Sequence, residues 1–201
     1  MYIFDNDDAT CHLSILDAKT LKRMHTIDLQ TNISPEYVTV YKNSLYFAIY
    51  SDYKNYPKNK KSKLGCYDIK SRELTWEDFE KKKSMYQTVG YEKNLLITHV
   101  DPVMQTCKEM TVLDLKNSRR RGIKFNRNIS QIAINNEKLY VLDNDVNTTE
   151  CIIYVYRITD DFKCELIKKE KIFAGNKDSS LWMYVSSSFV REGSTSTASA
   201  S

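Results

Sequence analysis

The sequence predicts an all-β protein made of repeated four-stranded antiparallel meanders, and three observations carry that expectation. Ile129 to Phe173 reads as strand, turn, strand, loop, strand, turn, strand. A strand-closing phrase recurs through the chain at spacings of 51, 46 and 43 residues. The composition favours strands, with 14 Tyr and frequent Ile and Val. Only 5 Gly and 3 Pro are present, so the turns must rely on Asn, Asp, Ser and Lys.

Within the 129–173 unit, Ser130-Gln131-Ile132-Ala133-Ile134 alternates polar with apolar residues before the Asn135-Asn136-Glu137-Lys138 turn. Leu139-Tyr140-Val141-Leu142 and Cys151 to Tyr156 are apolar runs, Thr159-Asp160-Asp161 turns the chain, and Cys164 to Phe173 alternates again. The closing phrase of the third strand recurs as Leu16-Asp17-Ala18-Lys19-Thr20, Tyr67-Asp68-Ile69-Lys70-Ser71 and Leu113-Asp114-Leu115-Lys116-Asn117. A weaker copy is Tyr156-Arg157-Ile158-Thr159-Asp160. The first two strands align independently: Glu36 to Phe47, Tyr86 to Ile97, and Ser130 to Val141 each give an alternating strand, a polar turn and a strand opened by Leu. Four strands in a period of this length are what propeller blades contain.

The two ends predict partial units. Tyr2-Ile3-Phe4 matches a second strand with no first strand before it, and Trp182 to Val190 reads as a first strand, a turn and the start of a second. The expectation is thus about three complete blades and two partial ones over residues 1–190. A disordered Ser/Thr/Ala-rich tail over 191–201 follows. Two arrangements stay open at this point. Trp182 to Val185 supplies the strand missing before Tyr2 and closes a small ring, or the chain is an arc that needs a second chain or missing blades, because open sheet edges invite pairing.

Leu16-Asp17-Ala18-Lys19-Thr20 followed by Leu21 to Ile27, with the repeats of that phrase, resembles the YVTN-type and WD-repeat-like β-propeller superfamily over nearly all of residues 2–190. The resemblance implies a rigid frame of blades with variable loops. It is to an architecture rather than to one protein.

Charge and cysteine usage bound the function classes. The net charge of +4 neither requires nor excludes an acidic partner, and no 18-residue apolar run is present to span a membrane. Met1 to Asp8 has no basic start and no apolar segment, so no signal peptide is expected. Five cysteines without a CxxC pair argue against a disulfide framework or zinc knuckle, and point to a reducing, cytoplasmic setting.

Long connections follow the second strands, at Ser51 to Lys63, Asp101 to Lys108 and Asp143 to Glu150, and all should fall on one face. Acidic residues mark the same strand ends. Asp52, Asp101 and Asp145, with His99 on the same side of its strand as Asp101, are the candidate ligand-binding residues. The competing reading is that these Asp residues end strands in Asx turns. The loop holding Lys54, Lys58, Lys60, Lys61 and Lys63, interleaved with Tyr53 and Tyr56, is a candidate phosphate-binding segment, with Arg119-Arg120-Arg121 as a second basic cluster on the opposite face. No Gly-rich phosphate loop, GxSxG or HExxH motif appears. The expected function is therefore a non-catalytic protein–protein interaction scaffold acting through its long loops. The alternatives are a propeller enzyme or small-ligand or metal binder using the acidic ends of the second strands with His99, and nucleic-acid or acidic-lipid binding through Lys54–Lys63.

Overall fold

The computed structural model of the chain describes residues 1–6, 10–29, 35, 37–49, 61–81, 84–101, 106–144, 150–159, 161 and 163–174. They form fifteen strands: β1 Tyr2–Asn6, β2 Cys11–Leu16, β3 Arg23–Asp28, β4 Val38–Tyr41, β5 Ser44–Ile49, β6 Lys61–Asp68, β7 Leu74–Lys81, β8 Ser84–Tyr91, β9 Asn94–Asp101, β10 Thr106–Asp114, β11 Arg120–Lys124, β12 Gln131–Asn135, β13 Lys138–Asn144, β14 Glu150–Ile158 and β15 Cys164–Ala174. Within each of four sheets, strands consecutive in sequence pair antiparallel, giving four meanders. Sheet 1 is β1-β2-β3; sheets 2, 3 and 4 are β4 to β7, β8 to β11 and β12 to β15. The all-β expectation, the repeated meander and the three four-stranded units hold, and among the described residues the first sheet has three strands. Trp182 to Val190 and the 191–201 tail lie outside the described residues.

The sequence repeat is a repeat of hairpin chemistry. The first two strands of sheets 2 and 3 turn through Lys42-Asn43 and Glu92-Lys93, with Lys42 and Glu92 at φ 53° and 50°. In sheet 4 both turn residues, Asn136 and Glu137, have positive φ, as a two-residue type I′ turn needs. After the third strand, Asp17, Asp68 and Asp114 hold a second turn. Thr20 N–H donates to Asp17 Oδ1 at 2.7 Å, Ser71 N–H to Asp68 Oδ1 at 2.7 Å, and Lys116 N–H to Asp114 Oδ1 at 2.8 Å. Four residues on, Leu21, Arg72 and Ser118 adopt φ of 57°, 62° and 56°, and each N–H donates to that Asp's carbonyl at 2.9 Å. The Asp carboxylate and carbonyl together hold a left-handed backbone that a glycine would otherwise supply. Sheet 4 has Arg157 at this place and closes its turn differently: Lys163 N–H donates to Thr159 Oγ1 at 3.0 Å.

Neighbouring sheets stack through three buried cores. Leu13, Leu45, Phe47 and Tyr67 join sheets 1 and 2; Leu64, Phe79, Met85, Leu95 and Ile97 join sheets 2 and 3. Leu96, Met110, Val112, Leu139, Val141 and Tyr154 join sheets 3 and 4. Strand alternation produces this layering: Leu95 and Ile97 face the sheet before, while Leu96 faces the sheet after. Aromatic side chains contribute to these cores. Phe47 packs edge-on to Phe4 and Trp76 with centroids 5.1 and 5.6 Å away, and Tyr154 is buried. Gly65 is required by Phe47, because a Cβ there would lie 2.3 Å from its Cε2. None of the three cores joins sheet 4 to sheet 1.

Candidate interaction face

The first strands of sheets 2, 3 and 4 are held side by side by polar side chains. Tyr37 and Tyr86 meet edge to face at 4.8 Å, with their hydroxyls 3.3 Å apart. Two residues on, Thr88 Oγ1 donates to Thr39 Oγ1 at 3.1 Å, and Thr39 Oγ1 donates to the Thr88 carbonyl. Two residues further, Gly90 lies under the Tyr41 ring, where a Cβ would come within 2.1 Å of Cδ2. Between sheets 3 and 4, the Gln87 amide brackets a peptide unit: Nε2 donates to the Ile132 carbonyl at 2.9 Å, and Ile132 N–H donates to Oε1 at 2.7 Å. Gln131 Nε2 then reaches back to Tyr37 Oη at 3.4 Å. These bonds satisfy polar groups that stacking takes from water.

The same contacts fix direction. Residue pairs 37–86, 39–88 and 41–90 advance together, so β4 and β8 run parallel, each pair 49 residues apart. Antiparallel pairing within each sheet then brings β5, β9 and β13 to an end on the same side. The connections 50–60, 102–105 and 145–149 all leave from that side, and the Asp-held turns lie on the other. This is the sidedness expected from the loop lengths.

His99 lies near the loop end of β9 but inside the layer between sheets 2 and 3. It is 4% exposed, its Nε2 is 2.7 Å from Thr111 Oγ1, and its ring lies 6.2 Å from that of Phe79. The strand alternation that puts it on Asp101's side also puts it on the face of the buried Ile97. Asp101 ends β9, paired with Thr106. Asp52 and Asp145 lie outside the described residues, as do Lys54, Lys58 and Lys60. Lys61 opens β6 opposite Lys81, and Lys63 pairs with Ile49 and Asp78 and is exposed. Of the candidate ligand residues, His99 alone has a described side chain, and it is buried. Among the described residues, no group of three or more His, Cys, Asp and Glu is placed to hold a metal ion, and no helix is long and apolar enough to cross a membrane.

The second basic cluster joins sheets. The Arg120 guanidinium lies 4.0 Å from the centre of the Phe79 ring, bonds Glu77, and donates to the Asp78 carbonyl at 3.0 Å, fastening β11 to β7. Arg121 donates to the Asp161 carbonyl in the β14–β15 turn. Burial pushes the Cys107 and Cys164 thiols up to about 11, outside the range of a reactive thiolate.

The ladder of Tyr37, Tyr86, Gln87 and Gln131 is absent from the candidate residues drawn from the sequence. Its trace there is the 49-residue recurrence of Tyr and Thr at 37/86 and 39/88. Hairpin alignment hides it, since that alignment sets Tyr41 against Tyr91 whereas packing sets Tyr41 against Gly90. Adjacent first strands are staggered by one residue.

No family model matches the chain, and no curated protein matches it. Among solved structures it is similar to that of the computationally designed Ika8 protein, at TM-score 0.52 and 11% identity over 83% of this chain and 48% of that one. The chain thus spans about half the length of that protein. It is also similar to the computationally designed Ika4 protein (TM-score 0.46, 11% identity, 70% of this chain and 74% of that one). A further likeness is to KlHsv2 with loop 6CD replaced by a Gly-Ser linker (TM-score 0.41, 10% identity, 64% and 36%). At 11% identity the likeness to the Ika8 protein concerns fold alone.

Proposed function

We propose that the chain is an arc of β-propeller blades and serves as a non-catalytic scaffold, binding a protein partner through the loop-bearing end of sheets 2, 3 and 4. The observation that carries this reading is the parallel alignment of β4, β8 and β12 by the Tyr37–Tyr86, Thr39–Thr88 and Gln87–Ile132 contacts. Side-by-side first strands with meander sheets stacked around them are the arrangement of propeller blades, and the alignment gathers three long, dissimilar connections at one end of a rigid frame. The opposite end carries short turns closed on themselves by Asp17, Asp68 and Asp114.

The test is cross-linking mass spectrometry on the chain recovered with its bound proteins from its native cells. Cross-links from a partner should fall on residues 50–63, 101–106 and 143–150. Replacing 50–60 with a Gly-Ser linker should weaken capture at least tenfold while the thermal transition is kept. Cross-links concentrated on Lys42, Lys70, Lys93 and Lys116, at the opposite end, would overturn the reading.

A further inference from the structure

The end of the stack opposite the long connections is cationic in sheets 1 to 3. In sheet 1 the Asp17 turn carries Lys19 and Lys22. In sheet 2 the two turns at this end carry Lys42 on one and Lys70 with Arg72 on the other; in sheet 3 they carry Lys93 on one and Lys116 with Arg119 on the other. All eight side chains are exposed, and none is in an ion pair with a described residue. Cations on the strands behave differently: Arg23 pairs with Asp5, Arg120 with Glu77 and Lys171 with Glu150.

Five carboxylates share this end of sheets 1 to 3. Asp17, Asp68 and Asp114 are turned onto the backbone N–H groups of their own turns, which leaves Glu73 and Glu92 exposed. Eight cations against five carboxylates place most of the chain's net charge of +4 here. Sheet 4 does not share the excess, since Lys163 in its turn is paired with Asp161 at 2.7 Å.

The cations are also held at one level. Ile69 N–H donates to the Asn43 carbonyl at 2.9 Å, and Leu115 N–H to the Lys93 carbonyl at 3.0 Å, so the two turns of each sheet are bonded side by side. The Tyr41–Gly90 contact keeps sheets 2 and 3 level to within one residue, about 3.3 Å of strand rise. The rings of Tyr2 and Tyr67, 6.4 Å apart, bring sheet 1 alongside. Short turns of equal build therefore make an even surface.

The apolar content of that surface selects its partner. None of these turn residues is aromatic, so the surface offers no platform on which nucleic-acid bases stack. Leu21, in contrast, is 60% exposed beside Lys22, at the place held by Arg72 and Ser118 in sheets 2 and 3. An exposed apolar side chain among lysines suits the boundary between lipid headgroups and acyl chains, and an even array of cations matches a planar array of phosphates.

We infer that the turn-bearing end of sheets 1 to 3 binds the surface of a membrane rich in anionic lipid, with Leu21 entering the headgroup layer. The surface lies opposite the loop-bearing end, so its occupancy does not depend on what that end binds.

The test is co-sedimentation of the 201-residue chain with phosphatidylcholine vesicles, with and without one third phosphatidylserine, over a range of salt. Binding should require phosphatidylserine and should fall steeply as salt is added. Lys70→Gln, Lys93→Gln and Lys116→Gln together should weaken it by at least about tenfold, with the thermal transition kept because all three positions are exposed. Leu21→Asn, which suits the φ of 57° there, should weaken it by about threefold or more. A matched loss of charge elsewhere, in Lys124→Gln, Lys168→Gln and Lys169→Gln together, should leave binding within about twofold of the unsubstituted chain. Failure to bind phosphatidylserine vesicles would overturn the proposal, as would equal losses in the two triple variants. Retention by a DNA duplex with none by vesicles would overturn it too, and would assign the surface to nucleic acid.

Discussion

Leu95 and Ile3 belong to equivalent second strands, yet one is wholly buried and the other 39% exposed. The hairpins around them are alike: each sheet turns through short polar links, and in sheets 1 to 3 an Asp carboxylate holds the turn after the third strand. What differs is the neighbour. Leu95 meets Leu64 and Phe79 across the junction with sheet 2, whereas the core clusters of the described residues do not include Ile3. Burial here is a property of the junction between sheets and not of the strand, so the same kind of residue does different work in the middle of the stack and at its ends.

That contrast sets the scale of two substitutions. Leu95→Ala removes side-chain volume from a closed junction and should destabilise the chain by about 2–5 kcal/mol, read from urea unfolding midpoints. Ile3→Ala, at a residue 39% exposed, should change stability by less than about 0.5 kcal/mol. Comparable costs at the two positions would erase the distinction between interior and terminal faces.

A smaller effect sharpens the likeness of the hairpins. The Ser71 and Lys70 backbone N–H groups hold the Asp68 carboxyl below the ordinary Asp value; Thr20 with Lys19, and Lys116, do the same for Asp17 and Asp114. A depressed folded pKa contributes stability that is fully present above the unfolded value of 3.8 and is lost as pH falls through the folded value. Melting temperature should therefore fall between about pH 5 and about pH 2. In Asp68→Asn the fall should be shallower, since one of the three carboxylates no longer titrates. An unchanged acid slope would mean that the turn aspartates do not couple to folding.

Much of this fold was legible in the chain because it is local. Alternation, the Leu that opens the second strand in sheets 2 to 4, and the Asp that closes the third strand in sheets 1 to 3 act within one hairpin, and the three spacings of that closing phrase, with Arg157 in its last copy, located the sheets. The three-stranded first sheet was legible for the same reason. The lateral contacts were not. Gln87 bonds a backbone 45 residues away, and Tyr41 packs on Gly90 with a one-residue stagger that no hairpin alignment contains. Arg119 to Arg121 read as a second basic cluster on the face opposite the Lys loop, because sequence does not reveal that Arg120 stacks on Phe79 and pairs with Glu77 of the neighbouring sheet. His99 read as a ligand beside Asp101, and the alternation that placed it there also carried it into the layer of Ile97 and Phe79.

The central claim is that consecutive sheets stack with their first strands parallel and nearly in register. A double-mutant cycle on Tyr41 and Gly90 measures that contact directly. Gly90→Ala places a methyl group against the Tyr41 ring and should cost about 1–3 kcal/mol in the wild-type background. In the Tyr41→Ala background the ring is gone, and the same substitution should cost close to nothing or stabilise the strand, giving a coupling energy above about 1 kcal/mol. An equal cost in both backgrounds would place β4 and β8 apart, and would contradict the stacked arrangement on which the loop-bearing end depends.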